Sequence, residues 1–376
     1  MIHMENKNQL KTVLSIAAVL AAIFCAAILY QSWKFSKTQA KAGPTFAAAQ
    51  AAVEQTQSAP VQNRAQTAAQ PAAAAMPAKV QAINGLMVDP AQAQRPFAIV
   101  VENHPRARPQ SGLSQADVVY EALAEGGITR FLGIFQTQSV KNIGPVRSAR
   151  TYFNDWAAEL GAVYAHVGGN SDALADLRTG DYPALANVDQ FFNGRFFWRI
   201  KTRFAPHNVY TSTSLLNSWV SANRISPDKS YQDYLFKAET PAAKPSATVI
   251  NIKFSTPQYQ VKYLYDRKTN SYKRYIAGKA DIDAGNKKQI MPKNVLVQIV
   301  RNWPTQTDTF LSIDMGTHES GDAFAFLDGT VTKGTWKYAG GRTRFFDGNG
   351  KELALNPGQI FIEVVPPEFE SALNWK

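Results

Sequence analysis

Eighteen consecutive residues near the start of the chain, 13–30, carry no charge and contain neither proline nor glycine. A helix of this length can cross the hydrocarbon core of a bilayer, and Trp33 follows at the depth where aromatic side chains meet the interface. We therefore predict a short N-terminal stub at 1–12 and a single-pass transmembrane anchor at 13–33 that contacts the lipid bilayer.

The next residues, 34–84, are dominated by Ala, Gln, Pro and Thr, with too few large apolar side chains to build a core. We predict a disordered tether here, and the small residues at 40–42 leave open a cleavage of the N-terminal segment. The only cysteine, Cys25, lies in the apolar run, so the remainder has no disulfide framework and no thiol nucleophile. A short stub, one anchor and a cysteine-free remainder favour a cell-membrane protein with most of its chain outside the cytoplasm.

The remaining length is enough for two domains with a sizeable core. With 45% hydrophobic and 18% charged residues, the chain is neither fully disordered nor a polytopic membrane protein. The net charge is +11, but residues 1–84 supply +5 of it. The rest is only mildly basic, which gives no indication of nucleic-acid binding.

The folded part changes character along the chain. Residues 85–224 alternate apolar runs with helix-start signals, which predicts a mixed α/β domain. The polar, proline-containing stretch 225–246 is predicted as a linker. Residues 247–376 alternate in the manner of β-strands between Asp-Gly and Asn-Gly turns, so we predict a β-rich C-terminal domain and an α+β fold class overall.

Two local predictions bear on the site. Residues 117–125 and 128–136, joined by Gly126 and Gly127, are typical of a β-hairpin. Arg130 would then lie across from Glu121 and Glu125, which favours cross-strand ion pairing over a two-carboxylate hydrolase site, because i and i+4 on a strand are about 13 Å apart.

Cations also differ between the two regions. Residues 95–210 hold ten Arg and two Lys, whereas 211–376 hold six Arg and fifteen Lys. Arg presents a planar fork that matches carboxylate and phosphate, so binding chemistry is expected in the first region.

Four loops there carry the candidate site. The segment 144–150 leads into a predicted helix capped by Ser148, and 166–171 runs from a strand end through two glycines into another helix start, an arrangement that suits anions. We assign anion contact to Arg147, Arg150 and Arg203, backbone approach to the two glycines, and orienting hydrogen bonds to the Asn and His residues. The predicted ligand-binding residues are Asn103, Arg130, Arg147, Arg150, His166, Gly168, Gly169, Arg203, His207 and Asn208.

Catalysis remains an alternative, with His166 or His207 as general base and Glu121 as acid or orienting carboxylate. No P-loop, nucleophile elbow, dinucleotide fingerprint or His-Glu-x-x-His motif occurs. His104, His166 and His207 lack the spacing of a metal-ligand set, so we predict neither a metal nor a cofactor.

Linked motifs in both regions resemble those of the YerB-like family of bacterial lipoproteins, over about 95–370. The matching segments are 108–113, 119–131, 143–150, 166–169, 205–208, 334–336 and 355–358. The resemblance implies a two-part fold and an envelope location, and it supplies no reaction. Bulky Phe24 before Cys25 departs from lipoprotein processing, which prefers a small residue there.

These observations predict an envelope protein that binds an anionic ligand, bearing glycan, phosphate or carboxylate, through an Arg/His-lined cleft. The alternatives are a hydrolase or transferase acting on envelope polymers, and a scaffold that binds a protein partner through the β-rich region.

Overall fold

The computed structural model describes residues 79–228, 230–305 and 312–376. Contacts divide the chain into two units, Met1–Ala73 and Ala74–Lys376. All described residues belong to the second unit.

Three short α-helices occur in the described residues: α1 (Thr151–Ala158), α2 (Ser171–Thr179) and α3 (Thr213–Ala222). The strands are β1 (Val80–Gln81), β2 (Met87–Val88), β3 (Phe97–Glu102), β4 (Val118–Leu123), β5 (Thr129–Phe135), β6 (Val163–His166), β7 (Ala186–Asp189), β8 (Trp198–Arg199), β9 (Val209–Tyr210), β10 (Leu235–Phe236), β11 (Val249–Lys253), β12 (Gln260–Asp266), β13 (Ser271–Ile276), β14 (Lys279–Ala280), β15 (Asn294–Ile299), β16 (Asn302–Pro304), β17 (Ile313–Met315), β18 (Ser320–Leu327), β19 (Thr330–Ala339), β20 (Arg342–Asp347), β21 (Ala354–Leu355), β22 (Ile360–Val365) and β23 (Asn374–Trp375).

The main sheet has ten strands in the order β20, β19, β18, β15, β22, β4, β5, β3, β6, β7. Strand β22 pairs in parallel with β4, placing Ile360 opposite Val118. The regions predicted as 85–224 and 247–376 therefore share one sheet. Its central strands β3, β4, β5, β15 and β22 are buried along their whole length, as expected where both faces of a sheet are covered.

Different layers cover the two faces of this sheet. Tyr120 of β4 stacks on Trp156 of α1, with the ring centroids 4.7 Å apart. Side chains alternate along a strand, so the next residue, Glu121, points to the other face. There it forms an ion pair with Arg274 of β13. That strand belongs to a second sheet of five strands in the order β14, β13, β12, β11, β23.

The fold class expected from the sequence is wrong. We expected an α+β protein with a single N-terminal transmembrane helix, but the described residues are mostly β-sheet, and their three α-helices have eight, nine and ten residues. No helix among the described residues has the length and apolar character needed to cross a membrane. The helices that form have only two or three turns each, while the apolar runs between them became central strands of the sheet.

Predictions for the N-terminal segment fall largely outside the described residues. The predicted anchor at 13–33 and most of the predicted tether lie there. The last residues assigned to the tether are folded, because β1 pairs with β2 and Ile83 is fully buried. The backbone N–H of Ile83 donates to Gln136 Oε1 at 2.8 Å, which ties this segment to the end of β5.

The predicted hairpin is confirmed, since β4 and β5 pair antiparallel across the two glycines. The predicted helix cap at Ser148 is wrong, because α1 begins three residues later and its N-cap residue is Arg150 in an extended conformation. The carbonyl of Ser148 instead accepts a hydrogen bond from Arg130 at 2.9 Å.

Candidate functional site

Two turns of the main sheet meet where strands β3 and β6 end. Strands β3 and β6 are parallel neighbours, so the residues that follow them emerge at the same end. Arg147 lies beside both strands: its N–H donates to Val100 O at 2.9 Å, and its own carbonyl accepts from Val167 N at 3.0 Å. Ala149 N donates to Gly168 O at 2.8 Å, so the segments 144–150 and 166–171 are directly hydrogen-bonded.

A cleft of about 520 Å³ opens beside these turns. Three arginines and one carboxylate contribute its charge, and leucine, valine and phenylalanine side chains form much of its wall. The lining residues are Arg147, Ser148, Val167, Gly168, Gly169, Leu174, Leu177, Arg178, Asn187, Asp189, Phe191, Phe192, Arg199, Ala205, Pro206 and Val209.

Gly168 shapes the wall of the cleft. Its φ of +57° lies in the left-handed region, and a Cβ built there would lie 2.8 Å from Cε2 of Phe191. Its N–H donates to Asp189 Oδ1 at 2.9 Å, and the same oxygen accepts from Phe191 N at 3.1 Å. Glycine is therefore required both for the backbone conformation and for the close approach of the phenylalanine ring.

The arginines of the cleft differ in their partners. Nε of Arg147 lies 3.2 Å from Oε1 of Glu102, a buried carboxylate. Arg199 donates to Asn208 Oδ1 at 2.8 Å, and Arg178 is exposed. Neither Arg178 nor Arg199 forms an ion pair with a carboxylate in the part of the chain that the structure describes. Within the described ranges, therefore, no carboxylate competes with a bound anion for these two guanidinium groups.

Glu102 also holds a histidine. Nδ1 of His207 lies 2.9 Å from Oε1 of Glu102, and its ring stacks on His104 with the centroids 4.9 Å apart. His104 Nδ1 accepts a hydrogen bond from the backbone N–H of Arg106 at 3.1 Å. The proton of neutral His104 therefore sits on Nε2, whereas the carboxylate favours the proton of His207 on Nδ1. The two stacked rings are held in opposite tautomers.

His166 has a different environment. It is fully buried, with Nδ1 2.8 Å from Gly168 O and Nε2 2.7 Å from Asn187 Oδ1. Burial lowers the pKa of His166, which favours the neutral ring. Both nitrogens are occupied by neighbours that fix the turn, so the side chain supports Gly168 rather than facing the cleft.

Two of the predicted ligand-binding residues, Arg130 and Arg150, form ion pairs with one acid, Glu125. Oε1 of Glu125 lies 2.7 Å from Arg130, and its other oxygen pairs with Arg150. Burial alone would raise the pKa of Glu125, but the two arginines lower it to about 2. The expected ion pair across the hairpin is therefore present with Glu125, and Arg150 joins it.

Glu121 and Asn103 belong to a buried network. Asn103 Nδ2 donates to Glu121 Oε1 at 2.9 Å, and Thr129 donates to the same oxygen at 2.5 Å. The second oxygen of Glu121 pairs with Arg274, and both side chains are fully buried. Glu121 is thus enclosed between the sheets and does not line the cleft.

Arg203 and Asn208 fix the loop between β8 and β9. Arg203 donates to Tyr210 OH and to Pro109 O, both at 2.8 Å, and Asn208 Nδ2 donates to Arg203 O at 3.2 Å. Of the ten predicted ligand-binding residues, Arg147, Gly168 and Gly169 line the cleft. The roles assigned to all ten remain predictions.

Sequence reasoning missed Arg178 and assigned no role to Glu102. Arg178 follows Leu174 by four residues on α2, so both lie on the helix face that lines the cleft. Glu102 is the last residue of β3, immediately before the predicted Asn103. Within the described residues no group of three His, Cys, Asp or Glu side chains could hold a metal ion.

Comparisons with known proteins identify the family. Residues 83–226 match the N-terminal domain, and residues 250–362 the C-terminal domain, of the family described as "Protein of unknown function (DUF3048)". A curated relative from Bacillus subtilis (strain 168), named "Putative lipoprotein YerB", is 35% identical over 277 residues, which is 73% of this chain and 82% of the relative.

A solved structure gives the same result. The crystal structure of YerB protein from Bacillus subtilis matches with a TM-score of 0.71 at 32% identity, covering 79% of this chain and 100% of the solved one. The crystallised relative is thus matched along its whole length by the folded part of this chain. The resemblance inferred from the sequence motifs is confirmed: the chain belongs to the YerB-like DUF3048 family.

Proposed function

We propose that this protein binds an anionic, partly apolar ligand of the cell envelope in the cleft beside Gly168. The observation that carries the proposal is that Arg178 and Arg199, which have no carboxylate partner among the described residues, line the cleft together with the apolar side chains of Leu174 and Leu177. An exposed guanidinium binds phosphate or carboxylate through two parallel hydrogen bonds, and the leucines favour an attached hydrocarbon or sugar face.

The size of the cleft agrees with this proposal. A volume of about 520 Å³ lies within the range of small-molecule sites, roughly 300–1,000 Å³. Asp189 is the acid that lines it, and its Oδ1 accepts hydrogen bonds from the backbone N–H groups of Gly168 and Phe191. Three arginines, Arg147, Arg178 and Arg199, outnumber that one carboxylate in the lining, so the charge presented to a ligand is positive.

The envelope location rests on the relative. That protein carries the name of a lipoprotein, and this chain matches 82% of its length. We infer an extracytoplasmic place at the membrane for this chain as well.

The proposal can be tested with defined probes. Dodecyl phosphate, used below its micelle concentration, supplies a phosphate and a hydrocarbon chain, and dodecyl maltoside supplies the same chain without charge. We expect the unit Ala74–Lys376 to bind the phosphate more tightly in calorimetry, and added salt to weaken that binding. The double variant R178A/R199A should bind about a hundredfold more weakly, at about tenfold per charge-assisted contact.

Lys279→Ala is the matched control, because Lys279 is an exposed cation on the distant strand β14. Its affinity for dodecyl phosphate should equal that of the wild type. Equal affinity in R178A/R199A, or equal binding of the two probes, would contradict a cleft for anions.

Acid–base catalysis on an envelope polymer is the second candidate function. The 2.9 Å contact of Glu102 with His207 favours it, because a carboxylate that orients a histidine is the usual arrangement of a general base. Pro206, next to His207, lines the cleft, so the base would act on a ligand held there. Hydrolysis of bis-p-nitrophenyl phosphate that His207→Gln abolishes, with dodecyl phosphate binding retained, would support this function.

A protein-binding scaffold receives less support. Large exposed apolar side chains that the structure describes between 247 and 366 are Ile282 and Trp303, at 36% and 37% exposure. They lie on different parts of the fold, and two such residues do not form the broad patch that a protein interface requires.

A further inference from the structure

Three phenylalanine side chains beside the cleft are exposed to an unusual degree. Phe191, Phe192 and Phe204, here called the phenylalanine lip, are 71%, 88% and 91% exposed. Phe191 and Phe192 line the cleft, and Phe204 immediately precedes Ala205, which also lines it. No other large apolar side chain in the described ranges exceeds 55% exposure.

The turns that carry the lip are firmly built. Asn193 Oδ1 accepts from Trp219 Nε1 at 2.8 Å, and Asn193 Nδ2 donates to Asp189 O at 3.0 Å, which fixes the turn under Phe191 and Phe192. Arg203 anchors the turn under Phe204 through Tyr210 and Pro109. Hydrogen-bonded turns therefore hold the three rings in solvent, and the exposure does not result from fraying of a loop.

Cations outnumber acids in the segment that carries the lip. Residues 186–210 contain Arg195, Arg199, Lys201 and Arg203 against one acid, Asp189, which is buried. Arg195, Arg199 and Lys201 are exposed, and none of them forms an ion pair within the described residues. Apolar rings flanked by cations match a membrane surface, where rings enter the acyl boundary and cations meet anionic headgroups.

We propose that the phenylalanine lip inserts into the surface of an anionic lipid bilayer, so that the cleft opens at the membrane. A second copy of the chain is a poorer partner, because symmetric pairing of two lips would bring the same cations together. This proposal does not require that the cleft be filled, so it can fail independently of the proposed function.

Vesicle flotation tests the proposal with the unit Ala74–Lys376. The wild type should bind vesicles of phosphatidylcholine with phosphatidylglycerol more tightly than vesicles of phosphatidylcholine alone, and added salt should reduce the difference. F192S/F204S should bind the anionic vesicles at least about tenfold more weakly, because two rings no longer enter the acyl boundary. R195A/K201A should lose most of the preference for anionic lipid.

Two controls show whether the phenylalanine lip itself makes the contact with the vesicle. Met87→Ser removes another exposed apolar side chain, far along the sequence in β2, and should leave vesicle binding unchanged. Arg178→Ala should weaken dodecyl phosphate binding but weaken vesicle binding by no more than about fivefold, the effect of losing about 1 kcal/mol from one cation near an anionic surface, and so by less than F192S/F204S.

Three outcomes would overturn the proposal. They are absence of wild-type binding to anionic vesicles, equal binding by F192S/F204S, and loss of vesicle binding in Arg178→Ala as large as in F192S/F204S. The third would mean that the cleft extracts a lipid without insertion of the lip. Self-association of the wild type that F192S/F204S abolishes, with no vesicle binding, would assign the lip to contact between copies instead.

Discussion

Nδ1 of His207 lies 2.9 Å from Oε1 of Glu102, although 105 residues separate them in the chain. The histidine ring is thereby fixed against His104, whose own Nδ1 accepts from Arg106 N. In the neutral state, His207 has its lone pair on Nε2, whereas His104, on which it stacks, carries its proton on Nε2.

The first prediction concerns these tautomers. In ¹⁵N spectra at a pH where both rings are neutral, His207 should carry its proton on Nδ1 and His104 on Nε2. Glu102→Ala should remove the preference of His207 because its acceptor is lost, while His104 keeps its backbone donor. The same tautomer for both rings in the wild type would contradict the arrangement.

A second prediction concerns the pKa of His104. Burial, followed by the charge of His207, lowers the pKa of His104 below its ordinary value of 6.5. A titration followed by NMR should therefore give a midpoint below 6.5. His207→Asn should raise that midpoint only in part, since the larger cause, burial, remains. A midpoint above 6.5 in the wild type would show that Glu102 dominates instead.

The third prediction concerns Arg274, the buried cation between the two sheets. It pairs with Glu121 and Asp281, and its Nε lies 3.7 Å from Glu363. Arg274→Ala leaves these acids without a counter-charge, so we expect denaturant unfolding to show a loss of about 3–5 kcal/mol. The control Lys279→Ala should change stability by less than about 0.5 kcal/mol.

Glu363 provides the matched comparison within the same cluster. Burial, followed by the charge of Glu121, raises the pKa of Glu363 well above its usual range, so the protonated form is favoured. Glu363→Gln exchanges one neutral group for another and should cost less than about 1 kcal/mol. Glu121→Gln removes a charged partner of Arg274 and should cost more. A larger loss of stability for Glu363→Gln than for Glu121→Gln would contradict the assignment of the neutral form to Glu363. This comparison can be made even if Arg274→Ala fails to fold.

Local structure could be predicted where local signals decide it. The hairpin of β4 and β5 follows from alternating apolar residues on either side of Gly126 and Gly127. Helix α1 shows the limit: Ser148 is a good cap residue, but the next residue, Ala149, donates its N–H to Gly168 O, so the chain is still extended there and pairs with the turn after β6. A tertiary contact overrode the capping preference, and one sequence cannot reveal such a contact.

The candidate site was harder to predict from the sequence than the local structure, because it is built by contacts between residues far apart in the chain. The glycines at the end of β6 mark a close backbone approach from sequence alone. The partners of the charged residues could not be deduced in this way, since Glu121 meets Arg274 across 153 residues and Glu102 meets His207 across 105. Parallel pairing of β22 with β4 joins strands from the two sequence regions in one sheet, and no local pattern encodes that register.

The fourth prediction uses the buried carboxyl of Glu159. Burial raises the pKa of Glu159 from 4.5 to about 7, against hydrogen bonds donated by Thr343. The folded state thus binds a proton more tightly than the unfolded state, so this stabilisation is complete below pH 4.5 and is lost as the pH rises through 7. The difference in unfolding free energy between wild type and Glu159→Gln should change by about 3 kcal/mol across that window. A flat difference would contradict the shift.

The last prediction concerns Gly168, where backbone and cleft meet. Gly168→Ala should cost more stability than Gly180→Ala. Both glycines have positive φ, at +57° and +84°, but a Cβ at Gly180 has nothing within 4 Å, whereas one at Gly168 meets Phe191 at 2.8 Å. We expect about 1 kcal/mol for Gly180→Ala from backbone strain alone, and about 2–3 kcal/mol for Gly168→Ala.

The same pair of variants also tests the cleft. Gly168→Ala must displace the ring of Phe191 or the turn that Asp189 holds, so the affinity for dodecyl phosphate should fall with it. Gly180→Ala, just beyond the end of α2, should leave that affinity unchanged. Thermal unfolding and calorimetry on the two proteins separate the effects. Equal stability losses with equal affinities would show that the close approach at Gly168 is not what shapes the site.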